Sequence, residues 1–130
     1  MNTSGNGNVH CRILVVDDNL TVLHTLVLVL ESQGYSVKSA TNSEDAVRCV
    51  SSFRPQILIT DVQLAGRNGV DTALQILQMM PACHVLLMSG DTTAGVILAA
   101  AKARGQEFDI LPKPTDPRTL FAKLRSYRVA

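Results

Sequence analysis

Residues 57–61 read Ile-Leu-Ile-Thr-Asp, a short apolar run that stops on a carboxylate. A run of this length, bounded by turn-forming residues, marks a strand buried on both faces, as in a parallel sheet. The pattern recurs on both sides of it. Ile13-Leu14-Val15-Val16 runs into Asp17-Asp18, Val85-Leu86-Leu87-Met88 into Ser89, and Ile110-Leu111-Pro112 into Lys113. In an open α/β sheet, ligands sit just outside the carboxyl ends of the strands. The pattern therefore gathers three carboxylates, a hydroxyl and an ammonium along one edge.

Between these runs lie helical segments. Arg12–Val16 is followed by Leu20–Gln33, where Leu23, Leu26, Val27 and Leu30 recur at helical spacing and Gly34 supplies the stop. Ser36–Ala40 alternates as a strand, and Ser43–Phe53 is a helix with Ala46, Val47, Val50 and Phe53 inward, ended before Pro55. After the strand Ile57–Thr60 comes a loop holding Gly66 and Gly69. A helix over Val70–Met80 then turns Val70, Ala73, Leu74 and Leu77 to the core and ends at Pro81. Val85–Met88 is a strand, Thr92–Arg104 an alanine-rich helix closed by Gly105, and Phe108–Leu111 the fifth strand. Thr115–Tyr127 is the last helix, with Asp116 as N-cap and Pro117 in the first turn. Strict βα alternation implies a parallel sheet covered by helices on both faces, and right-handed crossovers leave few topologies.

The chain has 130 residues, 46% of them hydrophobic, and a net charge of +1, the size and composition of one ordinary globular domain. No apolar stretch approaches the roughly 18 residues of a membrane span. Met1–Asn8 is polar and glycine-rich and lacks the apolar core of a secretory signal. Residues 1–10 are expected to be a disordered tail before a domain over 11–127, with no output module attached, in the cytoplasm. Cys11, Cys49 and Cys83 form no CxxC pair, which argues against zinc or redox chemistry and for buried thiols in a reducing compartment. His10, His24 and His84 have no catalytic neighbour in sequence. Arg118, Lys123, Arg125 and Arg128 read as the solvated face of the last helix. Near-neutral net charge argues against direct nucleic-acid binding.

Adjacent Asp17 and Asp18, beside Asp61 on the neighbouring strand, repel unless a cation neutralises them. Mg2+, which favours a few carboxylates together with water and phosphate oxygens, is the expected ion. Asp61 can then act as a nucleophile toward phosphorus. The metal, the Lys113 ammonium and the Ser89 hydroxyl would neutralise the equatorial oxygens, which is most of what phosphoryl transfer requires. Each residue also has a plain structural reading: helix capping for Asp17-Asp18, a turn for Asp61, a cap for Ser89 and a solvated lysine for Lys113. It is their joint occurrence, in order and at strand ends, that points to a site.

Together the segments ILVVDDN (13–19), GYSVKSATNSEDAV (34–47), ILITDVQLAGRNGVD (57–71), LLMSGD (86–91) and ILPKP (110–114) resemble the receiver domain of two-component response regulators, of the stand-alone type. The resemblance implies a flavodoxin-like doubly wound (βα)5 fold with a five-stranded parallel sheet of order 2-1-3-4-5. It implies Asp61 as phosphoacceptor, Asp17 and Asp18 as the acidic Mg2+ pair with the Gln63 backbone carbonyl as a further ligand, Ser89 as the mobile hydroxyl, Lys113 as the site lysine, and a cis Lys113–Pro114 bond. The implied partners are a sensor histidine kinase or histidine phosphotransfer protein and a downstream protein not identified by the sequence. Such a domain phosphorylates and slowly dephosphorylates its own aspartate without being a conventional enzyme.

Three positions depart from the family pattern. Ala65 replaces a usual proline, Ile110 stands where the switch aromatic usually lies, and the approach to the fifth strand is one residue longer. Phe108, two residues before Ile110, falls on the same strand face and is the one local aromatic that could substitute for it. Phosphorylation is thus expected to move the Ser89–Thr93 loop with little change at Ile110. The competing reading within the family is a degenerate receiver acting as a phosphorylation-independent interaction module. A haloacid-dehalogenase-type hydrolase is disfavoured, because it needs an aspartate two residues after the nucleophile, where Gln63 stands. Surplus apolar residues, Val22 and Val29 on the first helix and Val96 on the fourth, read as spare core packing or, alternatively, as a homodimer or docking face.

Overall fold

A computed structural model describes residues 11–64, 67–90, 99, 102, 105 and 108–129. Its elements in chain order are β1 (Arg12–Val16), α1 (Leu20–Ser32), β2 (Ser36–Ala40), α2 (Ser43–Phe53), β3 (Ile57–Asp61), β4 (Gln63–Leu64), β5 (Arg67–Asn68), α3 (Gly69–Met79), β6 (His84–Ser89), β7 (Asp109–Pro112) and α4 (Pro117–Arg125). Five strands form a parallel sheet in the order β2-β1-β3-β6-β7. Setting aside the β4–β5 hairpin, this is the expected 2-1-3-4-5 order of the flavodoxin-like fold. The tail expected over residues 1–10, Ala65, Val96 and most of the helix expected over 92–104 lie outside the described residues.

The period-2 alternation of the central strands divides the core in two. Ile13, Val15, Ile57, Ile59, Leu86 and Met88 pack toward Leu23 and Leu30 of α1 and Leu120 and Leu124 of α4. Leu14, Val16, Leu58, Val85 and Leu87 pack toward Ala46 and Val50 of α2 and Val70, Ala73 and Ile76 of α3. Most of these strand side chains are fully buried, each contributing about 1.5–3 kcal/mol by leaving water. The three-layer arrangement follows, because strands apolar on both faces need helices on both.

Local chemistry fixes where the helices begin and end. Asn19, Asn42, Asn68 and Asp116 are the N-caps, each side-chain oxygen accepting a backbone N–H one turn in. α1 ends on Gly34 at φ 90°, with Gly34 N donating to Glu31 O and Tyr35 N to Leu30 O, the paired bonds of a Schellman motif.

The structure corrects several expectations. α3 buries Thr72 and Ile76 beside Val70 and Ala73, while Leu74 and Leu77 are only half-buried. Leu74 and Leu77 still pack against the core, and the stripe is wider than expected because Thr72 is drawn in by a 2.5 Å hydrogen bond with Ser43 of α2. The loop after β3 forms the β4–β5 hairpin, which two residues per strand made too short to read as period-2 sequence. The most exposed apolar side chains of α1 are Leu20 and Leu28, not the half-buried Val22 and Val29. Phe108 lies just before β7 rather than in it, though it packs with Ile110 against the α2/α3 side of the core. Cys11 and Cys83 are buried and Cys49 half-buried, all as free thiols, and burial pushes Cys83 up to about 12. Among the described residues, no helix is long and apolar enough to cross a membrane.

The basic residues of the last helix are not a uniformly solvated face. Arg128 lies beyond α4, and Lys123 Nζ sits 3.0 Å from Asp109 Oδ1. Burial raises the Asp109 carboxyl, but hydrogen bonds from Lys123 and Tyr127 outweigh it and hold it below the usual aspartate range. A depressed native value contributes stability that is present above the unfolded value of about 4 and lost as pH falls through the native one. Thermal melts from pH 6 to pH 2.5 should therefore show a shallower acid limb in Asp109→Asn than in wild type. Identical limbs would remove Asp109 from the account.

Candidate functional site

Strand register carries the polar residues to one edge. Val16 pairs with Thr60, which sets Asp17, one residue on, level with Asp61. Asp61 pairs with Met88, and Ser89 with Pro112, which carries Ser89 and Lys113 to the same edge. Backbone bonds continue the ladder past the strand ends: Asp17 N donates to Ala40 O, Val62 N to Met88 O and Lys113 N to Ser89 O.

At this edge Lys113 Nζ donates to Asp17 Oδ2 at 2.7 Å and to Asp61 Oδ2 at 2.9 Å. Asp17 Oδ1 accepts from Asn19 N and Asp61 Oδ1 from Gln63 N, so the described bonds reach both oxygens of each carboxylate. Burial lowers the Lys113 ammonium, yet the hydrogen bonds to Asp17 and Asp61 win and hold it above the usual lysine range. Its side chain is 20% exposed, far from the solvated lysine of the plain reading. The capping reading of Asp17-Asp18 fails as well, because Asn19 caps α1 and leaves both carboxylates to the site. Asp61 does close a turn through Gln63 N, but its other oxygen faces Lys113. Ser89 is buried and borders, with Asp61, Gln63, Gly90 and Lys113, a cleft of about 300 Å³. The Lys113–Pro114 bond is cis.

One carboxylate oxygen each from Asp17, Asp18 and Asp61 lie within 4.8 Å of one another, with Asp18 exposed. Three hard anionic oxygens open to water on one side fit a divalent cation of the Mg2+ type, which keeps several waters. The ammonium of Lys113 already offsets part of the charge, so ion binding should be weak.

Two contacts escaped the sequence reading, although it placed Gly69 in the loop after the third strand. Gly69 opens α3 against the back of the site: its N–H donates to Val62 O at 2.6 Å, and a Cβ there would stand 1.9 Å from Asp61 O. Thr60 Oγ1 donates to that same Asp61 carbonyl. Nothing in local sequence signals either contact, since both depend on how α3 returns to the sheet.

The response regulator receiver domain family model matches residues 13–125, and the chain belongs to that family. The DNA-binding response regulator MtrA of Mycobacterium tuberculosis strain H37Rv is 28% identical over 116 residues, which is 88% of this chain and 49% of that protein. The DNA-binding transcriptional regulator NtrC of Azospirillum brasilense is 32% identical over 83% of this chain but only 22% of its own length. The chain thus spans about half of the MtrA relative and less of NtrC. Among solved structures, the signal receiver domain of an HD domain-containing protein from Pseudomonas fluorescens Pf-5 superposes with a TM-score of 0.81 at 26% identity, covering 90% of this chain and 93% of that one. The chemotaxis protein CheY4 of Vibrio cholerae matches in fold with a TM-score of 0.80 at 23% identity, covering 90% and 98%.

Proposed function

We propose that Asp61 accepts a phosphoryl group from a phosphohistidine on a sensor kinase or phosphotransfer protein, and that the modified domain changes its affinity for a downstream protein. One observation carries this reading. In a receiver fold, Asp61 ends the central strand with Lys113 Nζ 2.9 Å from its carboxylate and two further aspartates within 4.8 Å. In the transfer an Asp61 oxygen attacks phosphorus, the P–N bond breaks, and its electron pair returns to the donor imidazole. Asp17, Asp18, Asp61 and the Gln63 carbonyl would hold Mg2+, which when bound neutralises equatorial oxygen charge. Lys113 supplies a second positive charge, and Ser89, buried in the cleft, a hydroxyl donor. Gln63, two residues after Asp61, is no acid or base, so no side chain at that position speeds hydrolysis by proton transfer. The domain acts on its own aspartate rather than turning over a free substrate.

A groove of about 450 Å³ beside the site, bordered by Val22 and Leu26 of α1 with Met88, Pro114 and Leu120, offers the donor an apolar seat next to Lys113. The intact charge constellation favours this reading over a phosphorylation-independent module. With Mg2+ and a small phosphodonor, intact-mass spectra should gain one phosphoryl group, and Asp61→Asn should remove most of it. Undiminished labelling of the Asn variant would overturn the assignment, and an unlabelled wild type would favour the interaction module.

A further inference from the structure

At the pole of the sheet opposite Asp61, the amino ends of β6 and β7 meet the carboxyl end of α4 and the residues after it. Asp109, first residue of β7, accepts a hydrogen bond from Tyr127 Oη at 2.8 Å and pairs with Lys123 Nζ at 3.0 Å. The Tyr127 ring stacks on His84, first residue of β6, with centroids 4.7 Å apart and planes 16° from parallel. His84 Nε2 lies 2.7 Å from Arg128 O, and since a carbonyl only accepts, Nε2 carries the proton. Burial and the bond to Asp109 push the Tyr127 hydroxyl well above its ordinary value, which keeps it the donor. Two strands, β6 and β7, are thus tied to the Ser126–Val129 segment by polar contacts that the phosphorylation site does not use.

β7 connects this cluster to the site. It is an edge strand of the described sheet, hydrogen-bonded to β6 alone. Its first residue is held by α4 through Asp109. One residue past its last stands Lys113, held by Asp17 and Asp61. Asp109-Ile110-Leu111-Pro112 is extended, contains no glycine, and spans about 13 Å at strand rise. A short taut strand pinned by a polar anchor at each end has little slack to absorb a displacement.

We propose that the Asp109–Tyr127–His84 cluster is a latch on the Ser126–Val129 segment, released or reset through β7 when the partners of Lys113 change. The inference rests on Asp61 being the phosphoacceptor. A phosphoryl group there draws Lys113 Nζ from Asp61 Oδ2 to a phosphoryl oxygen, and the strand carries that shift to Asp109. Asp109 and Tyr127 are positioning residues in this scheme, since neither touches the reacting atoms.

The test is nuclear magnetic resonance on the full chain with Mg2+, with and without beryllofluoride as phosphoryl mimic. In wild type the amides of Asp61, Ser89 and Lys113 should shift, and with them the His84 ring protons and the Arg128 amide. In Asp109→Asn the site amides should still shift while the His84 and Arg128 signals stay, and amide exchange at Tyr127–Val129 should be faster by several-fold, up to about tenfold, as loss of the Lys123 ion pair and weakening of one half-buried hydrogen bond imply. Tyr127→Phe, which keeps the ring and removes only the hydroxyl, should reproduce that uncoupling if Asp109→Asn folds poorly. Site amides that shift in wild type while His84 and Arg128 do not would overturn the latch alone, as would an unaltered response in both variants. Site amides that do not move would overturn the phosphoacceptor reading, and the latch with it.

Discussion

Gly69→Ala should cost the protein both stability and phosphoryl-transfer rate. The added Cβ would stand 1.9 Å from the Asp61 carbonyl oxygen and 2.9 Å from its carbon, so backbone must give way. No positive φ is involved at Gly69, so the requirement is for space and not for an unusual torsion. Overpacking costs about 1–3 kcal/mol, or more where only backbone can yield. The bond from Gly69 N to Val62 O is strained by the same movement, adding about 1 kcal/mol. The helix-forming advantage of alanine over glycine, at most about 1 kcal/mol, does not offset this. The shift falls on the residue that bears the nucleophile, where a displacement near 1 Å can slow a reaction about 100-fold. Urea denaturation and the rate of labelling by a small phosphodonor measure the two effects. Wild-type values in both would mean that α3 can recede from Asp61 without consequence.

Lys113→Ala should destabilise the metal-free protein and strengthen its response to Mg2+, whereas Asp18→Ala should abolish that response. The Lys113 ammonium lies 2.7 and 2.9 Å from two carboxylates whose side chains are 3% and 15% exposed. Removing one partner of such a pair costs about 3–5 kcal/mol when fully buried, and about 2–3 kcal/mol is expected here because the lysine retains some water contact. The surviving carboxylates repel, and a divalent ion relieves that repulsion without competing against an ammonium. Asp18 is exposed, and its loss removes a metal ligand while leaving the Lys113 pairs with Asp17 and Asp61 in place. In melting curves Lys113→Ala should fall by about 10 °C without Mg2+ and recover much of that with it, while Asp18→Ala should be indifferent to the ion. If Lys113→Ala lost its Mg2+ response and Asp18→Ala kept it, the two roles would be interchanged. Phosphorylation should fall in both variants, so labelling alone does not separate them.

The layer architecture was within reach of the sequence because the signals are local and repeated, and the strand order came with the resemblance to receiver domains. Runs such as Ile13–Val16 and Ile57–Ile59 are buried on both sides, and Gly34 and Asp116 mark helix ends by their own backbone and capping chemistry. The candidate site was legible for a related reason: Asp61 and Ser89 end strands, Asp17 and Lys113 directly follow them with Asp18 next in chain, and a parallel sheet brings all such ends to one edge. Elements of two residues, such as the β4–β5 hairpin, carry too few side chains to show a period. Thr72, polar by composition, was left off the core face of α3 because its burial comes from a partner 29 residues away in sequence.

The sequence by itself determined the fold class and which side chains gather at the carboxyl edge, since both follow from patterning within single segments and from the handedness of their connections, while the sheet order came from the resemblance to receiver domains. Tertiary structure alone decided the rest. It gave the capping of α1 to Asn19 and left Asp17 and Asp18 to the site, seated Gly69 against the carbonyl of Asp61, and joined Asp109, Tyr127 and His84 at the far pole. Those outcomes depend on distances between residues remote in the chain, and a contact fixed by packing leaves no period or motif in the segments that make it.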